Sequence, residues 1–158
     1  MGILDVNFEH WGSSDHYYKG AWVLQTLRSA LGNDEMWFDL IKSIHKNWEK
    51  STVTTPEIVE FINKKTKQDF SKFFEQYLYH PNIPKLLYRI QQDGNDIKMS
   101  AIWETDVKEF EMPILVGDPE NYQKIVPSNL KQEFTIKDVS IEKFRVAEEL
   151  FLIKSVEL

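Results

Sequence analysis

Cysteine is absent from this 158-residue chain, so neither a disulfide nor a thiolate metal site can form. No apolar run comes near the ~18 residues a helix needs to cross a bilayer. Charge of one sign never accumulates either: 19 Lys and Arg are interspersed with 25 Asp and Glu, for a net charge of -6. With no basic face to meet phosphate, nucleic acid and anionic membrane are not expected as partners. The opening Met1-Gly2-Ile3-Leu4-Asp5 lacks the basic and apolar segments of a secretory leader. No internal repeat is visible, and 42% hydrophobic with 13% aromatic residues excludes low-complexity disorder.

Signatures of catalysis are also scarce. The four histidines, His10, His16, His45 and His80, are followed by Trp11, Tyr17, Lys46 and Pro81. No His-Glu step exists, so the zinc helix H-E-x-x-H is missing, and no two histidines lie three or four apart on one helical face. They read as solvated or packed side chains. Ser13-Ser14-Asp15 lacks the glycines of a nucleophile elbow and reads as a helix cap. Asp93-Gly94-Asn95-Asp96 resembles the start of a calcium loop but lacks its remainder, and reads as a hairpin turn. Glycine-rich phosphate loops are absent. The chain alone is therefore expected to hold no zinc or other cofactor and to cleave no substrate.

What is present changes character near residue 80. Before it the apolar spacing is helical, and after it the spacing approaches two with more β-branched and aromatic residues. A first helix is expected from about Asp15 to Leu31, with Tyr17, Ala21, Leu24, Leu27 and Leu31 as its apolar stripe and Gly32 as its end. A second runs from about Asp34 to Trp48, with Trp37, Ile41, Ile44 and Trp48 facing inward. A third follows Thr54-Thr55-Pro56-Glu57, where Thr54 and Glu57 have capping-box spacing. A fourth starts at Asp69, carries Phe70, Phe73, Phe74, Tyr77 and Leu78, and is stopped by Pro81 and Pro84. Then Lys85–Gln92 and Ile97–Trp103 form a hairpin, and strands are expected near Glu111–Val116, Gln123–Val126, Lys131–Ile136 and Phe151–Val156. The expected fold class is α+β: a helical bundle over 1–80 and a small antiparallel β-sandwich of roughly seven strands over 81–158.

One segment is more specific. Asp15-His16-Tyr17-Tyr18-Lys19-Gly20-Ala21-Trp22-Val23-Leu24-Gln25-Thr26-Leu27-Arg28, followed by Leu31-Gly32, resembles the Tyr-x-Lys-Gly-Ala helix of the gluzincin aminopeptidases, the aminopeptidase N family of zinc metallopeptidases. The likeness continues in order. Trp37 or Phe38 after Gly32-Asn33-Asp34 resembles the next helix of the family, and Val53-Thr54-Thr55-Pro56-Glu57 its threonine-capped helix. Asp69-Phe70-Ser71-Lys72-Phe73-Phe74-Glu75-Gln76-Tyr77-Leu78 resembles its Phe-Phe-x-Gln segment, and Ile83-Pro84 the entry to its β-sandwich.

The resemblance implies the second half of a thermolysin-like catalytic domain joined to a sandwich domain. The family's zinc ligands, its amine-binding Glu and its N-terminal β-domain are not in this sequence, so zinc, peptide substrate and the remaining catalytic domain belong to a longer parent. Tyr17 occupies the position of the family's catalytic tyrosine, whose phenol donates to the tetrahedral oxyanion; Tyr18 beside it is the alternative. A neutral phenol suits that role because it donates at pH 7 without changing its protonation. Lys19 and Arg28 are expected to be surface or ion-pair residues, and Gly20 to permit close helix packing. A parent-facing surface at Trp11, Tyr18 and Trp22 would be left apolar and exposed, favouring self-association. The competing readings are a non-catalytic module whose Ig-like sandwich binds protein or glycan on a helical scaffold, and an unrelated small hydrolase.

Overall fold

The computed structural model describes residues 15–158. Four helices, α1 (Asp15–Leu31), α2 (Asp34–Trp48), α3 (Thr55–Thr66) and α4 (Ser71–Tyr79), precede seven strands: β1 (Lys85–Asp93), β2 (Asp96–Glu104), β3 (Ile114–Asp118), β4 (Asn121–Ile125), β5 (Gln132–Ile136), β6 (Arg145–Val146) and β7 (Lys154–Glu157). The fold is α+β, and helix gives way to strand across His80–Pro84, where the two prolines deny further helix. Ser13, Ser14, His10 and Trp11 lie outside the described residues, as does the side chain of His16.

Local chemistry accounts for the helix ends. Gly32 follows α1 at φ +64°, a left-handed closing position that glycine adopts without strain. Asn33 caps α2, its Oδ1 accepting from the Met36 N–H at 2.9 Å. At α3 the Glu57 carboxylate accepts from the Thr54 N–H at 2.8 Å and the Thr54 hydroxyl at 2.6 Å, the reach-back expected of the capping box. The fourth helix begins two residues later than its spacing suggests. Asp69 is a turn residue whose Oδ1 accepts from Ser71 N–H at 2.9 Å, while Asn63 donates to Asp69 and accepts from Phe70 N–H.

The buried faces of α1 and α2 differ from those read off the sequence. On α1, Leu27 and Leu31 are buried together with Val23, Thr26 and Ala30, but Tyr17, Ala21 and Leu24 face outward. On α2, Trp37 is buried with Leu40, while Ile41 is exposed and Ile44 and Trp48 are half-buried. Both helices carry apolar residues on more than one side, so periodicity alone allowed two choices of inner face.

The strands form a four-stranded sheet, β5-β2-β1-β7, and a three-stranded sheet, β4-β3-β6. Residues Gly94-Asn95 close the β1–β2 hairpin between the paired Asp93 and Asp96. Along β2, Ile97, Met99, Ala101 and Trp103 are buried and alternate with the outward-facing Lys98, Ser100 and Glu104. Gly117 at φ +117° lets the second sheet approach the first, for a β-carbon there would lie 3.3 Å from Ile136 Cγ2. One expectation is corrected. β7 runs parallel to β1, Lys85 opposite Lys154 and Tyr88 opposite Glu157, so the larger sheet is mixed. The chain reaches β7 from β6 in the other sheet rather than through a hairpin, which permits the parallel sense. The two-residue β6 was not foreseen, because Arg145–Val146 is too short to show a period.

Buried apolar side chains run without interruption from α1 through α4 into both sheets. Phe73 and Tyr77 pack with ring centres 4.7 Å apart and planes tilted by 55°, and Trp103 meets Phe110 edge-on at 5.9 Å while its Nε1 donates to the Met112 carbonyl at 3.1 Å. Gln76, fully buried on α4, binds across the helix–sheet junction. Its Nε2 donates to Asn82 O at 2.8 Å, and its Oε1 accepts from the N–H groups of Asp106 and Val107 at 3.0 and 3.1 Å.

Candidate active-site helix

Tyr17 lies in the first turn of α1 with 62% of its surface exposed, and Tyr18 is 73% exposed. Neighbours on a helix diverge by about 100°, so the two phenols occupy different sectors of one open side. Trp22 and Leu24 continue that side, exposed by 41% and 49%. Phe38 and Ile41 of α2 extend it, with Phe38 brought alongside α1 by the Arg28 guanidinium 5.4 Å above its ring. The result is a helix with apolar residues both on its core face and on its outer face. A helix of that kind is normally covered on both sides.

The other residues of the Tyr-x-Lys-Gly-Ala segment have structural partners. Lys19 Nζ donates to the His80 carbonyl at 3.1 Å, tying the start of α1 to the helix–strand junction. Arg28 makes a bidentate pair with Asp34, Nε to Oδ1 at 2.8 Å and Nη2 to Oδ2 at 2.9 Å. That hydrogen bonding lowers the Asp34 pKa and raises that of Arg28, so the expected ion pair is present. Gly20 departs from expectation. A β-carbon there would meet nothing within 4 Å among the described residues, so no close helix packing requires a glycine.

Histidine is scattered. His45 is exposed on α2, 4.0 Å from the Glu49 carboxylate, and His80 contributes its backbone carbonyl at the end of α4. Among the described residues no group of three or more His, Asp or Glu could hold a metal ion. The residues described therefore do not fit a zinc centre, and no chemistry through a metal can be built on them.

Two clefts lie elsewhere. One of about 540 Å³ sits at the helix–strand junction between Asn82, Lys85, Asp106 and Lys154, and one of about 390 Å³ lies on the outer face of the larger sheet between Arg89, Lys98, Lys131 and Glu133. Neither is lined by a histidine.

No protein-family model matches the chain, and no curated protein matches it in sequence. A solved structure does match in fold: Legionella pneumophila aminopeptidase A, determined in complex with aspartic acid, superposes with a TM-score of 0.75 over 96% of this chain at 13% identity. The fold is similar to part of an aminopeptidase. At that identity the likeness is one of backbone architecture. The chain spans 19% of the length of the Legionella protein, so the larger part of that molecule has no counterpart here.

Sequence reasoning singles out Tyr17 as a candidate but not the residues that seat its helix. Thr26 and Tyr77, both buried, share the backbone of half-buried Leu152 as hydrogen-bond partner. The only sign of this arrangement in the sequence is a threonine beside Leu27 and three residues after Val23, at positions spaced for the apolar face of the helix.

Proposed function

We propose that this chain is the C-terminal part of a zinc aminopeptidase of the aminopeptidase N type, comprising the helical end of its catalytic domain (1–80) and its β-sandwich domain (81–158). In this reading Tyr17 supplies an oxyanion donor, and the zinc ligands and the amine-binding groups reside in the rest of the parent. The observation that carries the reading is the fold match to an aminopeptidase over 96% of the chain. The ordered Tyr17-x-Lys19-Gly20-Ala21 segment supports it independently, placing a tyrosine on the open side of α1.

The chemistry follows from the donor. When water adds to the carbonyl carbon of the N-terminal peptide bond, the π electrons move onto the carbonyl oxygen. A phenol already aimed at that oxygen stabilises the charge as it develops and needs no proton transfer of its own. The substrate carbonyl carries little charge beforehand, so the interaction is made mainly in the transition state. The outer face of α1, with Tyr18, Trp22 and Leu24, is where the remaining catalytic domain would pack. By itself the chain is proposed to be inactive.

Steady-state kinetics on the intact parent, with zinc content measured, test this. Tyr17→Phe removes only the phenolic oxygen, so folding and metal content should persist while kcat and kcat/KM fall together by ~10²–10³-fold with KM little changed. Tyr18→Phe should be close to neutral. Normal turnover in Tyr17→Phe, or a larger defect in Tyr18→Phe, refutes the assignment. A parent reading frame with no H-E-x-x-H upstream of this segment refutes the zinc peptidase reading as a whole.

A further inference from the structure

The polar contacts that hold α1 to the sandwich lie on the side away from Tyr17. Thr26 is fully buried in mid-helix. Its hydroxyl donates to the Trp22 carbonyl at 2.8 Å and accepts from the Leu152 N–H at 2.8 Å, so both its donor and its acceptor capacity are used. The carbonyl of the same Leu152 accepts from the Tyr77 hydroxyl of α4, also at 2.8 Å. Both polar groups of one sandwich residue are thereby engaged by two helices. At the far end of α1, Lys124 Nζ donates to the Ala30 and Leu31 carbonyls, closing the helix C-terminus.

Nine residues separate Thr26 from Tyr17. At about 100° per residue that is two and a half turns, so the two side chains leave the helix in opposite directions, displaced by about 13 Å along its axis. Apolar packing by Val23, Leu27 and Ala30 would tolerate a small rotation of α1, since hydrophobic contact is non-directional. The hydrogen bond from the Leu152 N–H would not, because it needs both a short distance and alignment; the hydroxyl's other partner, Trp22, lies on α1 itself and turns with it. Thr26 is thus the mid-helix contact that restricts rotation of α1 about its own axis, between the end contacts made by Lys19 and Lys124.

We propose that Thr26 is a positioning residue for Tyr17: its hydroxyl locks α1 to Leu152 and so sets the direction in which the tyrosine phenol is presented. This rests on the assignment of Tyr17 above. It also gives the sandwich a task in catalysis, as the part against which the catalytic helix is indexed.

The decisive experiment is a double-mutant cycle in the intact parent. Thr26→Val keeps the branched shape and removes the hydroxyl, and Thr26→Ser keeps the hydroxyl. Thr26→Val should lower kcat about 10-fold with KM within about 2-fold, and Thr26→Ser should restore most of it. In a Tyr17→Phe background Thr26→Val should cause no further loss, because a positioning residue has nothing left to position. A full 10-fold loss on top of Tyr17→Phe, or normal turnover in Thr26→Val, overturns the proposal and leaves the function intact. Normal turnover in Tyr17→Phe overturns both. Amide exchange of this chain supplies a reading independent of activity. Thr26→Val should speed exchange across α1 about 10-fold, and Thr26→Ser should not; unchanged exchange also overturns the proposal.

Discussion

Gln76→Met isolates the polar part of the junction between helices and sheets. Methionine has nearly the same length and volume and an equally good helix propensity, so the hydrophobic packing of α4 is retained. Three backbone groups lose their partner: the N–H of Val107, the N–H of Asp106 and the carbonyl of Asn82. Val107 is only 3% exposed, so its N–H would be stranded away from water, at about 2–3 kcal/mol. Asp106 and Asn82 are exposed residues whose freed groups can be hydrated, at about 0.5 kcal/mol each. The sum is about 3–4 kcal/mol, or a Tm lower by about 10 °C for a chain of this length. Gln92 provides the control. It bonds to Gly94, Asp96, Val139 and Ile141; Val139 is as buried as Val107, but Gln92 itself is half-buried at the end of the β1–β2 hairpin where Gln76 is fully buried, so water can reach the freed groups. Gln92→Met should cost about 1 kcal/mol. Urea unfolding followed by circular dichroism, with the slope checked for two-state behaviour, compares the two. A loss at Gln76 no larger than that at Gln92 would refute the argument that burial, and not the number of hydrogen bonds, sets the cost.

Two further outcomes are expected. Stability should fall as the medium becomes acidic. Asp34 (through Arg28), Glu57 (through Thr54), Asp69 (through Ser71) and Asp96 (through Lys137) all have carboxyl pKa values lowered in the fold. Their contribution is complete above the ordinary carboxylate range near ~4 and is lost as pH drops through the lowered folded values. Urea midpoints between pH 7 and pH 3 test this, and a Glu57→Gln, Asp69→Asn variant should show a shallower decline. The second outcome concerns the outer face of α1. The isolated chain should self-associate through Tyr18, Trp22 and Leu24, and Leu24→Glu should abolish association without lowering the urea midpoint, since Leu24 is 49% exposed. Sedimentation velocity decides, and a monodisperse unaltered chain would count against the exposed face as an interface.

The secondary structure was legible because its signals are local. Thr54-Glu57, Gly32 and the Gly94-Asn95 turn act on backbone groups within three or four residues, so spacing suffices to read them. Lys154–Glu157 illustrates the opposite case. Its partner strand, β1, lies some 70 residues earlier, and nothing in Lys-Ser-Val-Glu reveals whether the pairing is parallel. The same limit applies to Gln76 and Tyr77. The Phe-Phe-x-Gln-Tyr run marks a helix and a family likeness, but not that the glutamine reaches Val107 and the tyrosine reaches Leu152.

Helix α1 carries two apolar stripes, and the outer one bears on function. Tyr17, Ala21 and Leu24 form an apolar stripe at helical spacing, which in a self-contained domain would be the buried one. They face outward because a second face, Val23, Thr26, Leu27 and Ala30, holds the core, and because Thr26 finds its partner in Leu152 only in that orientation. A sequence under no demand on the outer face would place charged or polar residues there, as the exposed positions of α3 do with Glu60, Lys64 and Lys65. An apolar outer stripe is what the proposed reading expects of a helix that the remaining catalytic domain covers. That the same stripe begins at the tyrosine of the Tyr-x-Lys-Gly-Ala segment places the open side and the proposed catalytic side of the helix together.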